Sequence, residues 1–199
     1  MSLKPPASPL DRILAGALWA LALALCAVAA HVVLVLYLPK FVGETPMRRL
    51  APYSAYGETR LLPRATPAAQ WTPFLDPAVA EASCLFDLSR APLRVSGEVE
   101  PGRMLTLSFR EPDGDVFYSM TDRAAQRGRL DVLLLTQEQL DAVEAEDDDD
   151  RPAQELRLVA PSLKGFVLIG ALANFPGEWA DAERRAKAIV CKPEEPVEP

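Results

Sequence analysis

The sequence holds a single histidine, His31, and it sits inside an apolar stretch near the N-terminus. No Ser-His or Cys-His nucleophile pair, and no histidine metal site, can therefore be assembled from the rest of the chain. Cysteine is scarce too. Cys26, Cys84 and Cys191 include no Cys-x-x-Cys pair, which removes the spacing of a zinc knuckle or a thiol redox motif. There is no glycine-rich phosphate loop. The chain also lacks a basic surplus: 28 Asp and Glu against 21 Lys and Arg leave a net charge of -7, the wrong sign for the phosphate contacts that dominate nucleic-acid affinity. The expectation is a protein that is not an enzyme, with no catalytic residues, no metal, no cofactor and no nucleic-acid partner.

What the chain does have is a long apolar run from Ile13 to Leu38, closed by Arg12 and Lys40, in which His31 is the one ionisable side chain apart from Cys26 and Tyr37. A spanning helix needs about 20 mostly apolar residues, so residues 13–38 are long enough to contact membrane lipid across a bilayer. A signal peptide would use Ile13 to Leu25 as its core and Ala27-Val28-Ala29 as its cleavage motif. The apolar character continues past Ala29 through Leu38, which exceeds a signal core of about 7–15 residues and favours an uncleaved anchor. A lipoprotein reading fails at Leu25, where lipidation of Cys26 would want a small residue. His31 lies about 10 Å from the end of the run at 1.5 Å per residue, within reach of the interface as a neutral imidazole. The run's many alanines are too common in such spans to specify packing.

Orientation is not set by charge, because Lys4 and Arg12 precede the run while Lys40, Arg48 and Arg49 follow it. The cysteines argue for export. With Cys26 inside the span, Cys84 and Cys191 are the two thiols near the ends of the folded region, and an oxidising compartment would pair them.

Composition divides the chain into a disordered arm at 1–12, the transmembrane helix at 13–38, a proline-rich linker at 39–73, an extracytoplasmic domain at 74–191 and a disordered acidic tail at 192–199. The fold class is α+β, with an antiparallel sheet of about six strands flanked by two or three helices. Asp76-Pro77 is read as the start of a short helix carrying Cys84. Strand-like runs follow at Leu93–Val99, Leu105–Arg110, Val116–Met120 and Leu130–Leu135, separated by Pro101-Gly102 and Pro112-Asp113-Gly114-Asp115 and simplest as a meander. Thr136 to Gln139 is a capping-box pattern opening a helix through about Ala145. Residues 144–150 are acidic at all but one position and belong in an exposed loop. Strands at Glu155–Ala160 and Gly165–Ala173 come next, and the unbroken Phe166–Ile169 run suits a central strand covered on both faces. An amphipathic helix at Gly177–Val190 closes the domain.

Phe74-Leu75-Asp76-Pro77, Cys84-Leu85-Phe86-Asp87-Leu88, Asp115-Val116-Phe117-Tyr118 and Thr121-Asp122-Arg123-Ala124-Ala125, behind a single span, resemble the short membrane-tethered proteobacterial proteins of domain of unknown function family 1254. The resemblance covers residues 73–191 and the span; the acidic stretch at 144–150 departs from it. It implies a single-pass protein of the bacterial inner membrane with its domain in the periplasm, partnered by other envelope proteins, and it brings no site residues. Asp113 and Asp115 lack the glycine and terminal glutamate of a calcium loop. The candidate ligand-binding cluster is Tyr118, Thr121, Asp122 and Arg123 at a strand end, where an Asp-Arg pair fastening a turn is the simpler reading. The function these features favour is an envelope interaction module. The alternative is a small-ligand-binding or enzymatic domain with a pocket near Tyr118 and Asp122.

Overall fold

The computed structural model describes residues 8–41, 43–66, 71–72, 75–146 and 155–194. It contains two separate compact units, residues 1–44 and 45–199.

The first unit is helix α1, Pro9–Phe41. It begins earlier than the expected arm allows because Ser8 caps it: the Asp11 amide donates to the Ser8 hydroxyl at 3.2 Å, and the Ser8 amide donates back to the Asp11 carboxylate at 3.0 Å. With Pro9 at the first helical position, this is a reciprocal N-terminal cap. Every side chain from Ser8 to Leu38 is exposed. The helix is long and apolar enough to cross a membrane, and an N-terminal signal sequence would satisfy the same test.

The second unit is an α+β domain with, among the described residues, nine strands in two sheets. In chain order it holds α2 (Pro46–Leu50), β1 (Arg60–Leu61), β2 (Val79–Asp87), β3 (Leu93–Glu98), β4 (Leu105–Arg110), β5 (Val116–Thr121), β6 (Arg129–Leu135), α3 (Gln137–Glu146), β7 (Leu156–Val159), β8 (Lys164–Leu172), α4 (Trp179–Ala188) and β9 (Val190–Pro193). One sheet runs β1-β2-β8-β4-β5 and the other β7-β6-β3-β9. The core lies between them, with Phe86, Phe109, Val167 and Ile169 from the first sheet packed with Val95, Val132 and Leu134 from the second and with Ala182, Ala186 and Ile189.

Four local expectations change. The segment after Asp76-Pro77 is strand β2, not a helix: Asp76 caps only a turn, accepting from the Ala78 amide at 2.8 Å. Ala80, Ala82, Cys84 and Phe86 then alternate into the core, and β2 pairs with β8 along its whole length. Long-range pairing overrides alanine's helix preference here. The meander is also replaced, because Pro101-Gly102 carries the chain from one sheet to the other. β3 pairs with β6 and β9, while β4 pairs with β5 and β8. The expected linker joins the domain from Thr45 onward. Leu50 and Leu62 are buried with Leu85 and Phe166 on the outer face of the five-stranded sheet, since a sheet apolar on both faces needs cover on both. Last, the tail is ordered through Glu194: β9 includes Lys192 and Pro193, and the Glu194 amide donates to the Pro92 carbonyl at 2.8 Å.

Other expectations hold. β8 is the middle strand of its sheet, with Phe166 and Leu168 packed outward and Val167 and Ile169 inward. The capping box is reciprocal, Gln139 amide to Thr136 Oγ1 at 3.2 Å and Thr136 amide to Gln139 Oε1 at 2.9 Å. The helix it opens, α3, supplies the crossover that parallel pairing of β6 with β7 requires. Residues 147–150 of the acidic stretch lie outside the described residues. Cys84 and Cys191 form a disulfide, with Cα atoms 6.6 Å apart, that ties β2 of one sheet to β9 of the other. Gly165 allows the close approach of β2 and β4 to its strand end: a Cβ there would collide with the Arg110 carbonyl and the Phe86 ring.

Candidate functional site

Between the five-stranded sheet, α4 and the second sheet a cleft of about 1510 Å³ remains open. Its floor is the inner face of β4 and β5, where Leu105, Tyr118 and Met120 lie. One wall is α4 with Asp181, Arg184 and Arg185; the other is the end of β3 and the hairpin that leads into β6, with Glu98, Arg127 and Arg129. Leu156 of β7 and Leu130 add apolar surface.

The α4 wall is fixed by charge. Arg103 donates to Glu178 at 3.1 Å and to Asp181 at 2.8 Å, and Arg185 donates to Asp181 at 3.0 Å and to the Leu172 carbonyl at 2.7 Å. Arg184 also bonds Asp181. The Arg103 hydrogen bond holds the Glu178 carboxyl below its usual range, and Arg185 does the same for Asp181. Both acids therefore stay ionised, and three guanidiniums stay anchored.

The opposite wall is different. Arg127 and Gly128 form the tip of a two-residue hairpin, closed by Gln126 amide to Arg129 carbonyl at 2.9 Å and the reverse at 3.0 Å. Both tip residues are left-handed, with φ of 54° at Arg127 and 76° at Gly128. This turn type wants asparagine or glycine first, so arginine there is held against its backbone preference. Among the described residues, neither Arg127 nor Arg129 has a carboxylate within ion-pair distance.

The structure separates the four residues of the sequence-based cluster. Tyr118 lines the cleft, with its ring 6.2 Å from that of Phe109. Asp122 is buried and accepts from the Gly102 amide at 3.3 Å, fastening the strand end to the turn between β3 and β4. Its partner is thus backbone, not Arg123, which is exposed and forms no ion pair among the described residues. Thr121 caps the same single turn, accepting from the Arg123 amide at 3.4 Å. Two of the four, Thr121 and Asp122, hold a turn, Tyr118 faces the cleft, and Arg123 is exposed. Sequence reasoning missed the arginines of the walls; the signal available was the Arg127-Gly128 dipeptide between polar residues and an apolar run. Among the described residues no group of three or more His, Cys, Asp and Glu side chains could hold a metal ion.

These features define a class: a two-sheet α+β domain with one open side, behind a helix apolar enough to span a membrane. Neither a family model nor a curated protein matches the chain. Solved structures do resemble it. The VPA0106 protein of Vibrio parahaemolyticus is similar over 81% of this chain and 40% of its own, with a TM-score of 0.51 at 12% identity. An uncharacterized protein of Burkholderia cenocepacia is similar over 72% of this chain and 35% of its own, with a TM-score of 0.45 at 11% identity. The chain thus spans less than half the length of either, and the first likeness is one of fold alone.

Proposed function

We propose that the chain is an uncleaved single-span protein of the bacterial inner membrane whose domain stands in the periplasm and binds other envelope proteins through the open cleft. The observation that carries this reading is α1, which exposes apolar side chains on every side along Ile13–Leu38, with His31 the one strongly polar interruption. Such a helix needs an apolar medium, and lipid is the medium its length suits. The disulfide supports an oxidising compartment for the domain. The cleft supports interaction over catalysis. It is open and walled by five arginines facing four carboxylates, whereas small-ligand sites are usually enclosed and mostly apolar. A ligand pocket near Tyr118 is the second reading, favoured by the apolar floor. Kinship with family 1254 remains part of the proposal, on the segments that carry the resemblance.

Alkaline phosphatase and a fluorescent reporter that matures only in the cytoplasm, each fused after Glu194, test the topology. Phosphatase activity without fluorescence is expected, and the reverse would refute the orientation. A mature N-terminus at Ala30 would refute the anchor. Photo-crosslinkers at Tyr118 and Met120 in intact cells should yield discrete adducts with other envelope proteins, absent when the label is moved to an exposed position outside the cleft and off β5, such as Glu138 on α3.

A further inference from the structure

Four strands end the two sheets among the described residues: β1, β5, β7 and β9. An edge strand offers unpaired backbone groups, and proteins ordinarily blunt it by shortness, charge or proline. Three of the four are blunted. β1 has two residues, one of them Arg60; β9 carries Lys192 and Pro193; β7 has four residues with Arg157 among them. β5 has none of these devices. It runs six residues, Val-Phe-Tyr-Ser-Met-Thr, with no charge and no proline. The register shift opposite Phe109 and Arg110 lies at its start and leaves Tyr118 to Thr121 regularly paired with β4.

This strand borders the cleft. Tyr118 and Met120 stand on the cleft face, opposite the buried Phe109 and Leu107, while Ser119 and Thr121 are exposed on the other. A segment added along β5 would lie about 4.8 Å away and alternate its side chains between the same two faces. Every second side chain would then enter the space lined by Arg127 and Arg129, beside Arg184 and the carboxylates of Glu98 and Glu100. Arg184 is already bonded to Asp181, whereas Arg127 and Arg129 have no carboxylate within ion-pair distance among the described residues, with Glu98 the cross-strand neighbour of Arg129, so the unpaired positive charge on the entering side is that of Arg127 and Arg129.

We infer that β5 is a docking strand: it takes up an extended segment of a partner protein by main-chain pairing, and the cleft arginines select segments with acidic side chains at alternate positions. The inference rests on the interaction reading above and names the partner's chemistry. Main-chain pairing supplies affinity independent of sequence, and the alternating pockets supply specificity. Charge complementarity carries the choice of an acidic segment, because a basic or uncharged one would leave the arginines unmatched.

The test uses the full chain in nanodiscs. A display library of random decapeptides is selected against it, and enriched peptides are synthesised with a fluorophore for anisotropy. Enrichment of Asp or Glu at every second position is expected. Binding should weaken at least tenfold with the Arg127→Glu, Arg129→Glu double variant, whose sites are exposed, and should fall as salt rises. Single N-methylation along the bound peptide gives the signature of strand addition: loss of binding at alternate amides only, a pattern that requires no change in the protein. No enrichment, enrichment without alternation, or an N-methyl scan without a two-residue period would each overturn the docking strand. Peptides that bind without alternation, or crosslinked partners that ignore the β5 edge, would leave the interaction reading standing; a cell without crosslinked partners would remove that reading itself.

Discussion

Breaking the Cys84–Cys191 bond should lower stability by an amount that its loop length sets. The bond closes a loop with a sequence separation of 107 residues. In the chain-entropy treatment a loop of that length removes about 16 cal/mol/K from the unfolded ensemble, or about 4.8 kcal/mol at 25 °C, with native strain and residual unfolded structure reducing it. For a domain of this size 1 kcal/mol moves the midpoint by about 2–4 °C, so the loss corresponds to roughly 10–20 °C. The structure adds where the loss is felt. β9 is a short edge strand whose one strand partner among the described residues is β3, and the bond fastens it across the core to β2. The variant to make is Cys84→Ala, Cys191→Ala. Both sites are buried, and a serine hydroxyl without a partner there would add about 1–3 kcal/mol unrelated to the crosslink. Near-ultraviolet circular dichroism of the full chain in detergent micelles reads the transition, and the wild type with and without reductant supplies the matched pair. A fall of less than about 3 °C, or equal midpoints for oxidised and reduced protein, would refute the argument. So would reaction of both thiols with maleimide in the native protein.

Three further outcomes can be measured in the same way. Gly165→Ala drives a methyl group into the Arg110 carbonyl and the Phe86 ring, and should cost at least about 1–3 kcal/mol by overpacking; a neutral effect in a denaturant melt would mean the strands can part there. Glu81 has its carboxyl pushed above the usual range by burial, which outweighs its hydrogen bond from Trp71 Nε1 at 3.1 Å and the nearby Arg110. A folded-state pKa above the unfolded value means the contribution is fully present below the ordinary glutamate value of 4.5 and lost as pH rises through the folded value. Glu81→Gln should therefore melt higher than wild type at pH 7, with the gap closing below pH 4.5, and a gap that widens on acidification would show the sign to be wrong. Asp122→Ala removes the acceptor for the Gly102 amide and should cost about 1 kcal/mol, whereas Arg123→Ala should change the midpoint within experimental error; equal losses in the two variants would restore the Asp-Arg pair that the structure replaces.

What the residues determine without help is whatever depends on short-range chemistry. The apolar span's character lies in composition alone: a run such as Ile13–Leu38 must leave water whatever the rest of the chain does. The Thr136 to Gln139 box closes within one turn, so its partners are neighbours in sequence. The unbroken apolar run Phe166–Ile169 announces a strand with two covered faces, and the scarcity of cysteine leaves few pairings for Cys84 and Cys191. Tertiary structure decides the rest, because the deciding partners are remote. Val79–Asp87 carries alanines and an Asp-Pro start that suit a helix, and only its pairing with Lys164–Leu172 makes it a strand. Whether two strands flanking a turn share a sheet depends on which other strands compete for their edges; β3 finds β6 and β9, and the meander is lost. The cleft is the clearest case. Arg103 meets Glu178 and Asp181 from far along the chain, Tyr118 faces the cleft while Asp122, four residues on, turns to cap a backbone amide, and no local spacing encodes either meeting.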